Sequence, residues 1–301
     1  MAKPRRFLVT RVTCLDVSRQ INKSTNKQIN TSTGSMCGFS NKSTNKQINK
    51  STNTSTGSVR GLSNKSTNQQ INKIIYLCIM TSYVDLHTHK ASSDENVVSV
   101  VNLDSLEMPC GKGCFSIGIH PWSLDDLGFD VETAFADLER KLGDSRIVAL
   151  GEAGLDRVHS VTMPLQMEVF ERQVALSESY RLPVIIHNVR CMAELVSLRK
   201  HLKPKQQWVV HGFGGGMEEA VQLVNQGFML SVGAALLDER RKIAKALKDI
   251  GLSNIFFETD TSDISIIKVY EKAAELLGMS LPDLCDDVWN RFEDVFSAVE
   301  Q

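Results

Sequence analysis

The stretch Val84-Asp85-Leu86-His87-Thr88-His89-Lys90 sets two histidines two residues apart at the end of an apolar run. In an extended strand, residues i and i+2 leave the backbone on one side, so His87 and His89 present their imidazoles together, as a metal clamp does. Other metal-competent side chains recur in the same kind of place. His120 follows "SIGI", Glu152 follows "IVALG", His187 ends "PVIIH", His211 ends "QWVVH" and Asp260 follows "IFFET". Nitrogen-rich sets suit zinc, manganese or iron, whereas carboxylates with water suit magnesium. Zinc takes four ligands, so these four histidines and two carboxylates exceed the needs of one ion, and Glu152 is the natural bridge between two. Such a centre lowers the pKa of a bound water and stabilises attacking and leaving oxygens, which is the chemistry of hydrolysis. The expectation is therefore two divalent ions (Mg, Mn or Zn) held by His87, His89, Glu152, His187, His211 and Asp260. Glu152 and Asp260 are the expected catalytic residues, Asp260 also shuttling the proton of the attacking water.

These residues need elements that bring them together. Short apolar, β-branched runs fall at 83–87, 97–101, 114–119, 147–151, 183–187, 207–211, 228–233 and 255–259, and eight such strands close a barrel. Helical periodicity fills 124–142, 164–180, 190–202, 216–226, 237–250, 265–277 and 281–298. The links after the first two runs are too short for crossover helices, which predicts a TIM-type (β/α)8 barrel with shortened first βα units. Residues just past the C-terminal strand ends of such a barrel converge on one mouth, where the metal-competent set then sits with His120 beside it. His159 and His201 fall outside strand ends and read as ordinary loop and surface residues.

Composition divides the chain. Residues 1–79 carry 13 of the 34 Lys and Arg but a single acid, Asp16, a formal +12, whereas residues 80–301 carry 21 basic against 34 acidic residues, a formal −13. The first segment is of low complexity: "NKSTNKQIN" starts at Asn22 and again at Asn41, and "NKSTNQQIN" at Asn64. It lacks the apolar surface to offset its ordering entropy, so disorder is expected there, and a translation start placed ahead of the true one at Met80 is the simplest origin for it. The domain expected to fold is 80–301. The apolar patch from Ile74 to Met80 is too short to span a bilayer, so no membrane association is expected. Seven cysteines show only one close pair, Cys110 and Cys114, with no second pair to complete a zinc site. Reduced thiols and a cytoplasmic setting follow as expectations.

With "VDLHTH", "SIGIHPW", "ALGEAGLD", "PVIIHNVR", "VVHGFGGG" and "FFETD" in this order, residues 83–296 resemble the TatD-like metal-dependent deoxyribonucleases of the amidohydrolase superfamily. The resemblance implies hydrolysis of phosphodiester bonds in DNA, with DNA ends or short nucleic acid as substrate and no obligate protein partner. It implies that His87, His89, Glu152 and Asp260 hold one ion and that Glu152, His187 and His211 hold the other. His120, Arg190 and Gly214 are the expected substrate contacts: a histidine at the mouth, a guanidinium able to pair with phosphate or to orient a rim carboxylate, and a glycine run whose N–H groups can cradle an anion. After Asp260 the chain reads "TSDISIIKVY" where the family commonly has an Ala-Pro-Tyr-Leu type continuation. The same centre also suits small phosphoesters, amides or esters such as a misacylated tRNA. A non-catalytic scaffold would lack a ligand or base, and none is missing.

Overall fold

The computed structural model describes residues 82–104, 107–111 and 113–296. The low-complexity segment expected over 1–79 lies outside the described residues. Eight strands pair in chain order and all in parallel: β1 Tyr83–Thr88, β2 Val97–Asp104, β3 Cys114–Gly118, β4 Ile147–Asp156, β5 Val184–Val189, β6 Trp208–Val210, β7 Phe228–Val232 and β8 Ile255–Phe257. The ring is completed beyond β8 by a parallel bridge between Thr88 and Asp260. This is the expected (β/α)8 barrel. Apart from β2, most of whose residues are only half-buried, its strands are covered on both faces, which is why they read as continuous apolar runs and not as alternating ones.

Among the described residues there are seven α-helices: α1 Val131–Lys141, α2 Met163–Tyr180, α3 Met192–Leu202, α4 Met217–Asn225, α5 Lys242–Ile250, α6 Ile266–Leu277 and α7 Leu281–Phe296. Two expected helices start late. Residues Pro121–Asp125 form a short 3-10 turn, and α1 begins only after Gly128 turns with φ 84° and Asp130 caps the N–H of Thr133. Likewise Ala234–Leu237 is a 3-10 turn and α5 starts at Lys242.

Among the described residues no helix follows β1 or β2, as the short links require. The face of β1 is covered instead by α6 and α7. In α7 the buried residues Leu284, Val288, Phe292 and Phe296 recur every fourth position with Cys285 and Trp289 beside them, one broad apolar stripe. Tyr270 of α6 fastens the same strand, its hydroxyl donating to Val84 O at 3.0 Å and accepting from Val84 N–H at 3.1 Å.

Candidate metal centre

The end of β4 carries the centre. β4 runs on to Asp156, five residues past the expected end, so Glu152 lies within the strand and not after it. The pairing with β5 skips between Leu150 and Ala153, so Glu152 lies at an irregularity of the strand, where its side chain is buried. The two glycines flanking it are required: a Cβ on Gly151, whose φ is 138°, would lie 2.4 Å from Ile185 O, and one on Gly154 would lie 2.0 Å from His187 O. Asn102 of β2 fixes the backbone, its Oδ1 accepting the Glu152 N–H at 2.6 Å. From outside the ring, two buried amides of α2 do the same for the neighbouring segments. Gln173 donates to Ile119 O and accepts from its N–H at 3.0 and 2.7 Å, and Gln166 clasps the Asp156 backbone at 2.9 and 2.7 Å.

The other five expected ligands, with His120, gather around the Glu152 carboxylate. Its Oε1 lies 2.8 Å from His187 Nδ1, 2.7 Å from His211 Nε2 and 3.2 Å from His120 Nε2. Its Oε2 faces the other way, 3.3 Å from His87 Nε2 and 3.8 Å from His89 Nε2. Asp260 Oδ1 lies 3.6 and 3.4 Å from the same two imidazoles. Overlapping groups of three possible ligands result: His87, His89 and Glu152; His87, His211 and Asp260; His120, Glu152 and His187.

Two observations fit this set to cations. Three imidazole nitrogens crowd one carboxylate oxygen that has two lone pairs. His87 is fully enclosed, yet neither of its ring nitrogens makes an aligned hydrogen bond, a cost of ~1–3 kcal/mol per orphaned group that a metal bond would remove. The protonation states of His87 and Glu152 agree with ligation, whereas His211 carries a proton that a bound ion would have to displace. Burial, and then the neighbouring His211, push the pKa of His87 down, keeping it neutral. Burial opposes ionisation of Glu152, but hydrogen bonds from His120, His187 and His211 outweigh it and hold the carboxyl well below the usual range. For His211 burial disfavours the cation, and Glu152 and Glu258 more than reverse this, so its pKa is raised well above the ordinary value.

Several functional neighbours escaped the sequence reading. Asp156 Oδ2 lies 3.2 Å from His187 Nε2 and also accepts the Trp122 indole N–H at 2.8 Å. Glu258 Oε1 lies 3.6 Å from His211 Nδ1 and accepts the Gly212 N–H at 2.6 Å. Both were findable by strand parity, Asp156 four residues past Glu152 and Glu258 two before Asp260. Asp85 was not: the register of β1 shifts between Asp85 and Thr88, and Asp85 instead accepts from the Thr259 N–H and hydroxyl at 2.9 and 2.7 Å. Burial pushes its pKa up to about 7.

The expected substrate contacts divide. His120 belongs to the cluster itself; its Nδ1 accepts the Trp122 N–H at 3.2 Å, which leaves Nε2 as the donor to Glu152. Arg190 and Gly214 line a separate cavity of about 500 Å³ beside His211. Arg190 has a left-handed backbone, φ 55°, shared among non-glycine mouth residues with Asp260 at φ 51°. Its carbonyl is held by Arg157 Nε at 3.1 Å. His201 is exposed on α3 as expected, whereas His159 stacks against Trp122 at the mouth, 5.7 Å between centroids and 16° between planes. The thiols Cys110, Cys114 and Cys191 are free.

The family model described as TatD related DNase matches residues 64–297, a span that begins ahead of the expected start at residue 80. The uncharacterized metal-dependent hydrolase YjjV of Escherichia coli is 30% identical over 180 residues, 58% of this chain and 67% of that protein. An uncharacterized metal-dependent hydrolase of Haemophilus influenzae is 29% identical over 161 residues, 51% of this chain and 60% of that one. The match to the 3'-5' ssDNA/RNA exonuclease TatD of Edwardsiella piscicida is 31% identical over 147 residues, 48% of this chain and 55% of that one. These alignments thus span little more than half to two thirds of the curated relatives. The crystal structure of Escherichia coli YjjV superposes with a TM-score of 0.61 at 20% identity, covering 71% of this chain and 97% of that one. The same barrel occurs in a TatD family hydrolase of Entamoeba histolytica, TM-score 0.59 at 17% identity, covering 73% and 99%.

Proposed function

The chain belongs to the TatD-related DNase family, and from that premise we propose that it is a two-metal hydrolase cleaving phosphodiester bonds at the ends of short DNA. The observation that carries this reading is the two-sided Glu152 carboxylate, one oxygen turned to His87 and His89 and the other to His187 and His211. His87, His89, Glu152 and Asp260 would hold one divalent ion and Glu152, His187 and His211 the second, drawn from magnesium, manganese or zinc. Bound there, such ions lower the pKa of water and neutralise charge developing on oxygen.

The rest of the chemistry falls to the chain. Asp260 stands part-exposed at the mouth, and burial is outweighed by its hydrogen bond to His89, which keeps it ionised and ready to take a proton from the attacking water. His120 donates from Nε2 into the centre and can follow a substrate oxygen. Arg190 and the Gly214 N–H offer the phosphate a cationic and a neutral donor beside His211. Residues 80–301 are the proposed catalytic unit, working in the cytoplasm without a protein partner; no described helix is long and apolar enough to cross a membrane. The nuclease name of the Edwardsiella relative supports a nucleic-acid substrate.

A second reading keeps the centre and changes the substrate to a small phosphoester, amide or ester. It is favoured by the carboxylates of Asp104, Glu107 and Asp126 along one side of the mouth, which repel a continuous polyanion. The test is hydrolysis of an end-labelled single-stranded oligonucleotide by metal-stripped protein resupplied with each ion, beside Glu152→Ala. Metal-dependent cleavage absent from the variant is the expected result. Tight metal binding without cleavage would move the assignment to the second reading.

A further inference from the structure

The molecule has three tryptophans, and their surroundings differ sharply. Trp208 and Trp289 are 0% and 2% exposed in the core, whereas Trp122 is 51% exposed. It lines the cavity of about 590 Å³ that also contains Glu152, His187 and His211. A large exposed indole is costly to leave in water, and packing of the turn does not explain it, because the turn is already held by its polar groups. Asp156 takes the indole N–H, His120 takes the backbone N–H, and the Ser160 hydroxyl bonds Asp125 at the far end of the 3-10 turn. His159 lies parallel to the ring. His120 and His187 stand nearly perpendicular to it, 5.0 and 5.9 Å between centroids. The side chain is thus fixed in one orientation before any ligand arrives, with half its surface still exposed at the cavity.

The charges around it restrict what can rest there. Asp104, Glu107 and Asp126 line the same cavity, so a phosphate is disfavoured on this side, while an uncharged planar ring is not. Exocyclic amino groups of such a ring would find carboxylates as acceptors.

We propose that Trp122 is the stacking platform for the nucleobase of the terminal nucleotide, the one released by hydrolysis at the metal centre. The inference rests on the nuclease reading for its substrate but on separate residues for its geometry. The base lies on the indole with its edge toward the acidic side, and the chain of phosphates leaves toward Arg190.

The experiment uses the full chain loaded with metal. Because the other two tryptophans are buried, quenching of intrinsic fluorescence by a bound base reports on Trp122. Deoxynucleoside 5'-monophosphate is titrated beside deoxyribose 5-phosphate, which has the same sugar and phosphate without the base, and both affinities are measured by calorimetry. The nucleotide is expected to quench saturably and to bind about tenfold more tightly than deoxyribose 5-phosphate, the scale of one stacked base. Trp122→Phe and Trp122→Ala both lose the N–H to Asp156, so their difference isolates the ring face. The Phe variant keeps the preference for the nucleotide; the Ala variant loses it. Equal binding of the two ligands, or an unchanged preference in Trp122→Ala, overturns the proposal. Base-dependent binding without DNA cleavage would sink the nuclease reading and leave the platform standing, and DNA cleavage indifferent to the base would do the reverse.

Discussion

The two flanks of the metal centre are chemically opposite. Toward β2 and β3 the mouth is lined by Asp104, Glu107 and Asp126 around the Trp122 ring. Toward β5 and β6 it is lined by Arg157, Arg190 and the glycine run, with two carboxylates already engaged, Glu194 in an ion pair with Arg157 and Glu219 accepting the Gly216 N–H at 2.8 Å. A formal −13 over residues 80–301 argues against a long polyanion track, yet it averages over these flanks. The lesson is that local arrangement sets what an acidic barrel can bind: one flank offers a phosphate donors, the other offers a ring a flat surface. A substrate that needs both is short and has an end.

The comparison is broken most completely at the residue both flanks share. Glu152→Ala is expected to lower hydrolysis by roughly four orders of magnitude, the scale seen when one member of an interdependent catalytic set is removed. Metal content measured on the same sample should fall with it; full metal retention would separate binding from catalysis. Removing the donor flank with Arg190→Gln is expected to cost about 10- to 100-fold in kcat/KM on an oligonucleotide, that of a charge-assisted hydrogen bond. On an uncharged ester it should change little, and equal losses on both would mean that the arginine is structural.

Chelation is the next largest effect. If each ion binds the folded protein at a hundred times its Kd, removing one costs ~2.7 kcal/mol, a fall in Tm of roughly 5–10 °C for a domain of this size, and removing both costs about twice that. An unchanged Tm would count against ions at the enclosed His87. Neutralising the acidic flank with Glu107→Gln and Asp126→Asn should raise kcat/KM on oligonucleotides by about threefold at low salt and not at high salt. Smallest is the salt dependence of the unaltered protein. With one or two phosphates contacted on a single strand, the slope of log affinity against log salt is expected near −0.7 to −1.4, and a steeper one would reveal a longer track.

The barrel was legible because parallel strands buried on both faces leave unmistakable apolar runs, and the candidate site was legible because its metal-competent residues cluster at the ends of those runs. The 3-10 turn of Pro121–Asp125 was not, since its residues continue the helical pattern of α1 and only Gly128 interrupts it. The extension of β4 through Glu152 was hidden for a different reason. "GEAGLD" reads as a glycine-rich loop, whereas the glycines serve close approach to β5 inside a strand. The supporting residues Asn102, Gln166 and Gln173 leave no sequence signal, because a polar residue facing a backbone amide across the fold has no period of its own.

The stitch between the first and last strands has a consequence for how the protein acquires its activity. Asp260 N–H donates to His87 O at 2.9 Å and His89 N–H donates to Asp260 O at 3.2 Å. Ring closure is therefore made by the backbones of three proposed ligands, drawn from opposite ends of the barrel sequence. A chain still lacking its last strand has no Asp260 to offer the ion at His87 and His89, and one that loosens at this seam separates those three residues at once. Slow amide exchange at His89 and Asp260 would accordingly appear and vanish together with the capacity to bind that ion, while the set of Glu152, His187 and His211 does not depend on the seam.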